Sequence, residues 1–309
     1  MQIEPLRFSA DDQLIPAQRE MLPVDSANGL RGDLDLASLA TSGGGMIESA
    51  HPLNDLPDSE TANHSAGKPA KSRGTFELKF LVEEGHAQKI IEWARLNLDP
   101  DPNFDPEFGD GYRVNSLYLD TAQFDVFHRA DGFRQQKYRL RRYGRESLIW
   151  FEQKRKRKGL VRKKRVSVME TDTPTRLVHA PQEDWEGHWF RHKIDSQGLQ
   201  PVCQVTYQRF ARMKSTDEGI VRLTIDDRLM GSLAEGWKVP TVHHEGIPLL
   251  EGRRVLELKF RGAMPGLFRR LIEDEQLQVT SFSKYRTSVQ ECVPLDSFSG
   301  DTAQGSDDA

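Results

Sequence analysis

Basic residues occupy every second position in several strand-like runs near the middle of this chain. In the run Gln136–Tyr143, the cations Lys137, Arg139 and Arg141 alternate with other side chains. Successive side chains of a β-strand point to opposite faces of the sheet, so these cations share one face. The next two runs place Trp150, Glu152, Lys154 and Lys156, and then Val161, Lys163 and Arg165, on one face each. The fold must therefore set several charged strand faces side by side.

Two arrangements of such a sheet are open at this point. An antiparallel sheet commonly packs its apolar face on helices and exposes its polar face to water. Alternatively, the sheet closes on itself and the charged faces line an internal cavity. Burying an unpaired charge costs free energy, so a cavity rich in cations requires a polyanion to fill it. The second arrangement predicts a basic barrel that binds a chain of phosphates.

The remaining pattern predicts an α+β domain with about eight strands and a few covering helices. The predicted strands are Thr75–Val82, Tyr112–Leu119, Gln136–Tyr143, Leu148–Lys156, Leu160–Met169, Val202–Arg212, Ile220–Asp226 and Arg254–Phe260. Apolar residues recur at helical spacing in Glu83–Leu98, and helices are also predicted over Thr175–His192 and Pro265–Leu277. The Asp-, Pro- and Gly-rich residues 99–111 are predicted to form a loop.

The net charge of −4 conceals a basic body between two acidic ends. Residues 1–72 carry a net charge of −6, residues 295–309 carry −4, and the body between them, residues 73–294, carries +6. Within the body, residues 137–165 hold 14 basic and 2 acidic side chains. The ends contain too little apolar surface to offset the entropy of ordering, which predicts two disordered acidic segments. The basic body favours anionic ligands.

Several classes of protein and site are excluded by features that the sequence lacks. The two cysteines, Cys203 and Cys292, are too few for a disulfide framework or a Cys-rich metal site, and they suit a reducing compartment. No apolar run is long enough to span a membrane, and the N-terminal residues do not follow the pattern of a secretory signal. A P-loop, a dinucleotide-binding glycine motif and a GxSxG elbow are missing as well. A cytoplasmic protein is therefore expected.

Nine short motifs follow one another along the body. They are Glu77-Leu78-Lys79-Phe80, Ser116-Leu117-Tyr118-Leu119-Asp120-Thr121, Lys137-Tyr138-Arg139-Leu140-Arg141-Arg142-Tyr143, Glu152-Gln153-Lys154, Val161-Arg162-Lys163-Lys164-Arg165-Val166, Val205-Thr206-Tyr207-Gln208-Arg209, Val221-Arg222-Leu223-Thr224-Ile225-Asp226, Val255-Leu256-Glu257-Leu258-Lys259-Phe260 and Phe282-Ser283-Lys284-Tyr285. Together they extend over about 210 residues. In this order they resemble the polyphosphate polymerase domain of the vacuolar transporter chaperone (VTC) type, within the CYTH-like triphosphate tunnel metalloenzymes.

The resemblance implies a closed eight-stranded antiparallel β-barrel, or tunnel, with a basic interior and helices packed outside, over residues 73–294. It also implies an enzyme that transfers the γ-phosphate of ATP to a growing inorganic polyphosphate chain and depends on Mn²⁺ or Mg²⁺. The expected partners are ATP and inorganic polyphosphate, and no nucleic acid. Export of the polymer through a membrane-protein partner, which would bring the protein to a membrane, is left open.

The resemblance also assigns roles to individual residues. Phosphate-binding cations are expected at Lys79, Arg139, Arg141, Lys154, Lys163, Arg209, Arg222 and Lys284. The other expected site residues are Tyr207 and Ser283 for hydrogen bonds to phosphate, Arg165 and Lys259 for substrate contacts on the same charged faces, and Glu257 for the metal. Ser281 departs from the pattern, because some members have a lysine at this position. The departure bears on chain-length control or on affinity for polyphosphate.

Three functions are compatible with these residues. A polymerase needs no protein base, because its acceptor is a phosphate that is already ionised. A tunnel triphosphatase would use Glu77 or Glu152 to position or deprotonate water. A non-catalytic module would bind polyphosphate or another polyanion. Each carboxylate, Glu257 included, also has a structural alternative as the ion-pair partner of a neighbouring cation. Asp226 is either a ligand or an ion pair, and Lys164, which points away from the charged face, is expected at the surface.

Overall fold

The computed structural model of the chain describes residues 75–157, 160–178, 185–217, 219–241 and 246–294. The strands are β1 (Thr75–Glu83), β2 (Asp99–Pro100), β3 (Gly111–Asp120), β4 (Gln136–Tyr143), β5 (Leu148–Arg157), β6 (Leu160–Met169), β7 (Gln200–Thr216), β8 (Gly219–Leu233), β9 (Ile247–Pro248) and β10 (Arg253–Arg261). The helices are α1 (Glu84–Asn97), α2 (Asp125–His128), α3 (Thr173–Val178), α4 (His188–Gln197), α5 (Gly266–Asp274) and α6 (Lys284–Cys292). The predicted disordered segments lie outside the described residues. None of the described helices is long and apolar enough to cross a membrane.

Eight strands follow one another around a ring in which neighbouring strands are antiparallel. Their order is β7-β3-β4-β5-β6-β1-β10-β8, and pairing between β8 and β7 completes the ring. The short strands β2 and β9 pair with β7 and β8. The predicted eight-stranded ring is therefore confirmed, with helices outside it.

The ring is not a regular barrel, which corrects the prediction of a closed eight-stranded β-barrel. The described parts of β6 and β1 share a single residue pair, Thr75 with Val161. By contrast, β1 and β10 are paired along the whole of β1, from Thr75 to Glu83. We call the β6–β1 junction the seam of the ring, because the described residues of the two strands pair at this one position.

Two apolar clusters hold the helices against the outside of the ring. One cluster joins outward side chains of β1, β8 and β10 to α1 and α5, and it buries Phe80, Ile90 and Phe268 completely. The other joins β4, β5 and β6 to α4, where the rings of Phe151 and Phe190 lie 5.3 Å apart. Because the apolar residues of these strands face outward, the alternate, charged residues face into the ring.

The single helix predicted over Thr175–His192 is wrong, because two separate helices occupy this region. Helix α3 ends at Val178, and α4 begins at His188 after a turn at Trp185–Gly187. A Cβ atom at Gly187 would lie 2.3 Å from the ring of Trp185. The turn therefore requires glycine at this position, and the apolar spacing alone did not reveal the interruption.

Other elements differ from the prediction in extent. Strands β7 and β8 extend beyond the predicted Val202–Arg212 and Ile220–Asp226, because they pair with each other from Cys203 to Thr216 of β7. The predicted loop 99–111 contains β2 and a 3₁₀ turn at Pro106–Phe108. Helix α6 has no counterpart in the prediction. It begins after Ser283, whose Oγ accepts a hydrogen bond from the backbone N–H of Arg286 at 3.3 Å.

Candidate functional site

The inward faces of the eight strands form a charged interior that contains every residue predicted for the site. Its cations are Lys79 on β1, Lys137, Arg139 and Arg141 on β4, Lys154 on β5, Lys163 and Arg165 on β6, Arg209 on β7, Arg222 on β8 and Lys259 on β10, with Lys284 at the start of α6. Its carboxylates are Glu77, Glu152, Asp226 and Glu257, together with Asp101 from the segment after β2. Among these residues cations outnumber carboxylates by eleven to five, which makes the interior strongly basic.

Contacts between strands that are not neighbours show that these side chains meet inside the ring. Strands β5 and β1 are separated by β6, yet Nζ of Lys154 lies 2.9 Å from the carboxylate of Glu77. At the start of α6, Nζ of Lys284 lies 2.5 Å from Asp226 on β8 and 3.6 Å from Glu257 on β10. The first residue of α6 thus completes a site that the strands surround.

Glu257 lies in a cluster of lysines. Its two carboxylate oxygens lie 3.0 Å from Nζ of Lys79 and 3.1 Å from Nζ of Lys259. Lys79 also lies 3.4 Å from the carboxylate of Glu77, so one ammonium group bridges the two carboxylates. Burial alone would raise the pKa of Glu257, but the charges of Lys79, Lys259 and Lys284 outweigh it and hold that pKa well below its usual range. Glu257 is therefore an ionised, buried carboxylate at neutral pH.

The carboxylate of Glu257 fits a partial role in metal binding. Mg²⁺ commonly binds through one or two carboxylates together with the phosphates of a substrate, and Mn²⁺ accepts similar ligands. Among the described residues, no group of three His, Cys, Asp or Glu side chains could hold a metal ion by itself. A divalent cation at Glu257 would therefore take most of its remaining ligands from a bound phosphate chain and from water.

Glu152 is held by two cations on neighbouring strands. Its carboxylate lies 2.6 Å from Arg139 and 3.1 Å from Nζ of Lys163, and the side chain is fully buried. Burial would raise the pKa of Glu152, but these cations and Arg141 hold it well below its usual range. The pKa of Glu77 is also held below its usual range, because the charges of Lys154, Lys79 and Lys259 together outweigh burial and the repulsion from Glu257. Both carboxylates are consequently weak bases.

Two of the predicted phosphate-binding arginines are engaged with carboxylates inside the ring. Arg209 donates two hydrogen bonds to Asp226, at 2.6 and 2.8 Å. Arg222 donates to Asp101 at 2.5 Å and to the hydroxyl oxygen of Tyr112 at 2.6 Å. Asp226 on β8 is therefore the ion-pair partner of Arg209 on β7. Both arginines are less available to an incoming anion than Lys137 and Arg141 of β4.

The cations of β4 include two that face no carboxylate. Among the described residues, Lys137 and Arg141 have no carboxylate oxygen within 4.0 Å. Nζ of Lys137 donates to Oγ of Ser283 at 2.7 Å, and Nε of Arg141 donates to Oγ of Ser116 at 2.9 Å. Burial, together with neighbouring cations, lowers the pKa of Lys137 well below its usual range. Lys137 and Arg141 are thus interior cations that no carboxylate of the described residues contacts directly.

Lys137 is an interior cation that the predicted set of site residues does not include. The family resemblance assigns it no role, although it shares the inward face of β4 with Arg139 and Arg141. It lies opposite Lys154 in the β4–β5 register. The alternation of charge along Gln136–Tyr143 was the sequence signal that could have identified Lys137 as an interior residue.

Aromatic rings support other predicted residues of the interior. The ring of Tyr207 lies beneath Nζ of Lys284, at 4.9 Å from the ring centroid, and beneath the guanidinium of Arg209 at 5.3 Å. Arg165 stacks on the ring of Trp150 at 3.9 Å, and burial lowers the pKa of Arg165 to about 10. Cation–π contacts of this kind hold a positive charge in place without neutralising it.

A family model of the VTC domain matches residues 75–293, which include all ten strands. The chain belongs to the VTC domain family. The predicted membership is thereby confirmed. Outside the VTC domain no residue is matched by the family model, and no curated protein matches the chain.

Solved structures similar to this chain include proteins from Bacillus halodurans and from Hippeastrum. A putative adenylate cyclase from Bacillus halodurans has 15% sequence identity and a TM-score of 0.42, and the similarity covers 69% of this chain and 96% of that chain. A putative adenylyl cyclase from Hippeastrum, described as having a dominant triphosphatase activity, has 11% identity and a TM-score of 0.42. The second similarity covers 72% of this chain and 98% of that chain.

Proposed function

We propose that this VTC domain is a polyphosphate polymerase, which transfers the γ-phosphoryl group of ATP to the end of an inorganic polyphosphate chain. The basic interior of the ring carries the proposal. Its cations outnumber its carboxylates, and Lys137 and Arg141 face no carboxylate among the described residues. A linear chain of phosphates supplies negative charge along the whole length of such an interior.

Phosphoryl transfer requires in-line positioning and neutralisation of charge more than covalent help from the protein. Arginine suits bidentate contacts with phosphate, and lysine acts as a point charge. The proposed phosphate-binding residues are Lys79, Arg139, Arg141, Lys154, Lys163, Arg209, Arg222 and Lys284, with Arg165, Lys259, Tyr207 and Ser283 contacting the same chain. Mn²⁺ or Mg²⁺, held by Glu257 and phosphate oxygens, would supply further neutralisation of the charge on the transferred group.

The state of the buried carboxylates favours a phosphate acceptor over water. A general base works best when its pKa lies near the working pH. Glu77 and Glu152, the candidates for activating water, are each held by cations that keep their pKa values below the usual range. The terminal oxygen of a polyphosphate chain is ionised already and needs no base. The carboxylates therefore support transfer to phosphate rather than hydrolysis.

Product analysis tests this proposal directly. Purified protein is incubated with ATP, Mn²⁺ and a short polyphosphate primer, and the products are resolved on a gel stained for polyphosphate. We expect chains longer than the primer, accompanied by ADP. Release of orthophosphate without chain growth would make the protein a triphosphatase. Binding of polyphosphate without turnover would make it a binding module.

Binding of tripolyphosphate is expected to take up protons in the pH range over which Lys137 titrates. Burial and neighbouring cations lower the pKa of Lys137, whereas a bound anion favours its charged form. Affinity should therefore rise as the pH falls through the range in which Lys137 titrates. Calorimetric titration in two buffers with different ionisation enthalpies measures the number of protons taken up.

Two variants of Lys137 test the source of these protons. Lys137→Met should weaken tripolyphosphate binding by about tenfold, because a charge-assisted hydrogen bond is lost. Lys137→Arg should keep the affinity within about threefold but reduce proton uptake, because arginine stays charged throughout. Unchanged proton uptake in Lys137→Arg would assign the protons to other lysines of the interior.

A further inference from the structure

A second basic surface lies outside the ring, between the outward faces of β5 and β6 and the helix α4. It is a cavity of about 770 Å³ whose lining includes Arg155, Lys164, Trp189 and Lys193. Gln153, His188 and His192 complete the lining, and no carboxylate belongs to it among the residues that the structure describes. We call this surface the outer groove. Its size lies within the range of ligand-binding sites.

The outer groove is adjacent in sequence to the charged interior. Lys154 and Arg155 are consecutive residues of β5, and Lys163 and Lys164 are consecutive residues of β6. One member of each pair faces into the ring and the other faces out, since side chains alternate along a strand. The same two strands therefore present cations on both of their faces.

The cations of the outer groove are held in place but not neutralised. Nε of Arg155 donates to the side-chain oxygen of Gln136 at 3.3 Å. Nζ of Lys164 lies 4.4 Å from the ring centroid of Trp189. Within the described ranges, neither these two cations nor Lys193 has a carboxylate oxygen within 4.0 Å. The groove thus offers three positive charges to an anion.

The aromatic contacts of the groove indicate which polyanion it fits. A site for single-stranded nucleic acid presents free aromatic faces on which bases stack. In the outer groove Lys164 covers Trp189, whose ring also packs edge-on against Phe190 at 5.4 Å. A chain of phosphates needs cations and no stacking surface.

We propose that the outer groove binds inorganic polyphosphate outside the ring, as a second site for a chain that also occupies the interior. The identity of the chain as a product rests on the proposed polymerase function, whereas the affinity of the groove for polyphosphate does not. Two linked sites hold one long chain more tightly than either holds a short one, because the second contact is intramolecular. The groove therefore favours long chains over short ones.

A triple variant of the groove tests this proposal by direct binding, without ATP or metal. The variant Arg155→Gln, Lys164→Gln, Lys193→Gln is compared with a matched control, Lys89→Gln, Arg269→Gln, Arg270→Gln. The control removes three exposed cations from α1 and α5, which cover another part of the ring. The probes are tripolyphosphate, a polyphosphate of about 60 units and single-stranded oligothymidylate. The length of the polyphosphate is chosen to exceed what one site holds.

The groove variant should bind the long polyphosphate at least about tenfold more weakly than the unmodified protein. The slope of log Kd against the logarithm of the salt concentration should also decrease by about two. The groove variant should bind tripolyphosphate within about twofold of the affinity of the unmodified protein. The control variant should bind both tripolyphosphate and the long polyphosphate within the same limit. Unchanged long-chain affinity would overturn the proposal, as would an equal loss in the control or for tripolyphosphate. A loss of affinity that is larger for oligothymidylate than for the long polyphosphate would also overturn the proposal and make the groove a nucleic-acid surface.

The two proposals fail separately in these experiments. If the protein makes no polymer but the groove variant still loses affinity for long polyphosphate, the outer groove stands and the polymerase assignment falls. If polymer is made and the groove variant binds long chains like the unmodified protein, the polymerase assignment stands and the outer groove falls.

Discussion

Replacement of Glu257 by glutamine is expected to lower the metal-dependent rate of polyphosphate synthesis by about 100- to 1,000-fold, the range seen when one preorganised electrostatic contact is removed. Glu257 is ionised, buried and placed among three lysines of the interior. Glutamine keeps the shape of the side chain but not its charge. The expected result is measured as the initial rate at saturating ATP over a titration of Mn²⁺.

Glu77→Gln is the matched control, because Glu77 and Glu257 share the ammonium group of Lys79. This variant should lose less than about tenfold in rate and keep the metal requirement of the unmodified protein. Glu257→Gln should instead require more Mn²⁺ for half-maximal rate. Without metal, both variants should bind tripolyphosphate at least as tightly as the unmodified protein, since each has lost a negative charge. Equal losses of rate with an unchanged metal requirement would reduce Glu257 to an ion-pair partner of the lysines.

Asp226→Asn is expected to lower the free energy of unfolding by about 3–5 kcal/mol, the cost of breaking a buried ion pair on one side. The carboxylate of Asp226 is fully buried and lies within 2.8 Å of both Arg209 and Lys284. The variant leaves both cations without this partner. For a folded body of this size, such a loss corresponds to a decrease in Tm of about 6–20 °C. Thermal unfolding followed by circular dichroism measures it.

The ion pair between Arg142 and Glu170, on the outside of the ring, serves as the control. Arg142 is buried and lies 2.5 Å from Glu170, whose side chain is 52% exposed. Arg142 also donates to backbone carbonyl oxygens of Glu146 and Val239. Glu170→Gln should therefore cost less than about 1 kcal/mol. Comparable losses in Glu170→Gln and Asp226→Asn would show that burial inside the ring does not set the cost.

The stability contributed by Asp226 should also depend on pH. Burial would raise the pKa of Asp226, but Arg209 and Lys284 outweigh it and hold that pKa below its usual range. A carboxylate with a lowered pKa in the folded state stabilises the fold above its pKa in the unfolded state, about 4. That contribution disappears as the pH falls through the folded pKa. The difference in Tm between the unmodified protein and Asp226→Asn should therefore shrink on acidification.

The strands of the ring could be predicted because alternation is a local property of the sequence. Each run of alternating residues, such as Gln136–Tyr143, contains its own evidence for a strand with a charged face. The closure of the ring is not local. It depends on pairing between β7 and β8 and on the seam, and alternation alone left an open sheet equally compatible with the pattern. The family resemblance supplied the closure.

Helix α6 and the partner of Arg222 could not be found in the same way. The buried residues of α6 alternate in character: Lys284 and Ser288 are polar, whereas Tyr285 and Val289 pack in an apolar cluster, because only the start of the helix reaches the charged interior. A search for apolar periodicity does not detect such a helix. Asp101 lies 121 residues from Arg222 in a segment rich in Asp and Pro, where nothing local distinguishes a buried carboxylate from an exposed one.

The carboxylates inside the ring act as built-in counterions, because they are part of the protein and already pair with its interior cations. Under the proposed function, an entering phosphate chain would have to draw lysines and arginines away from Glu77, Glu152 and Asp226, whose charges repel it. A small anion of low charge would gain too little from one such exchange to compensate for this repulsion. A long chain would make many exchanges but lose its translational freedom only once. Discrimination by charge density and chain length would then arise from competition within the protein itself.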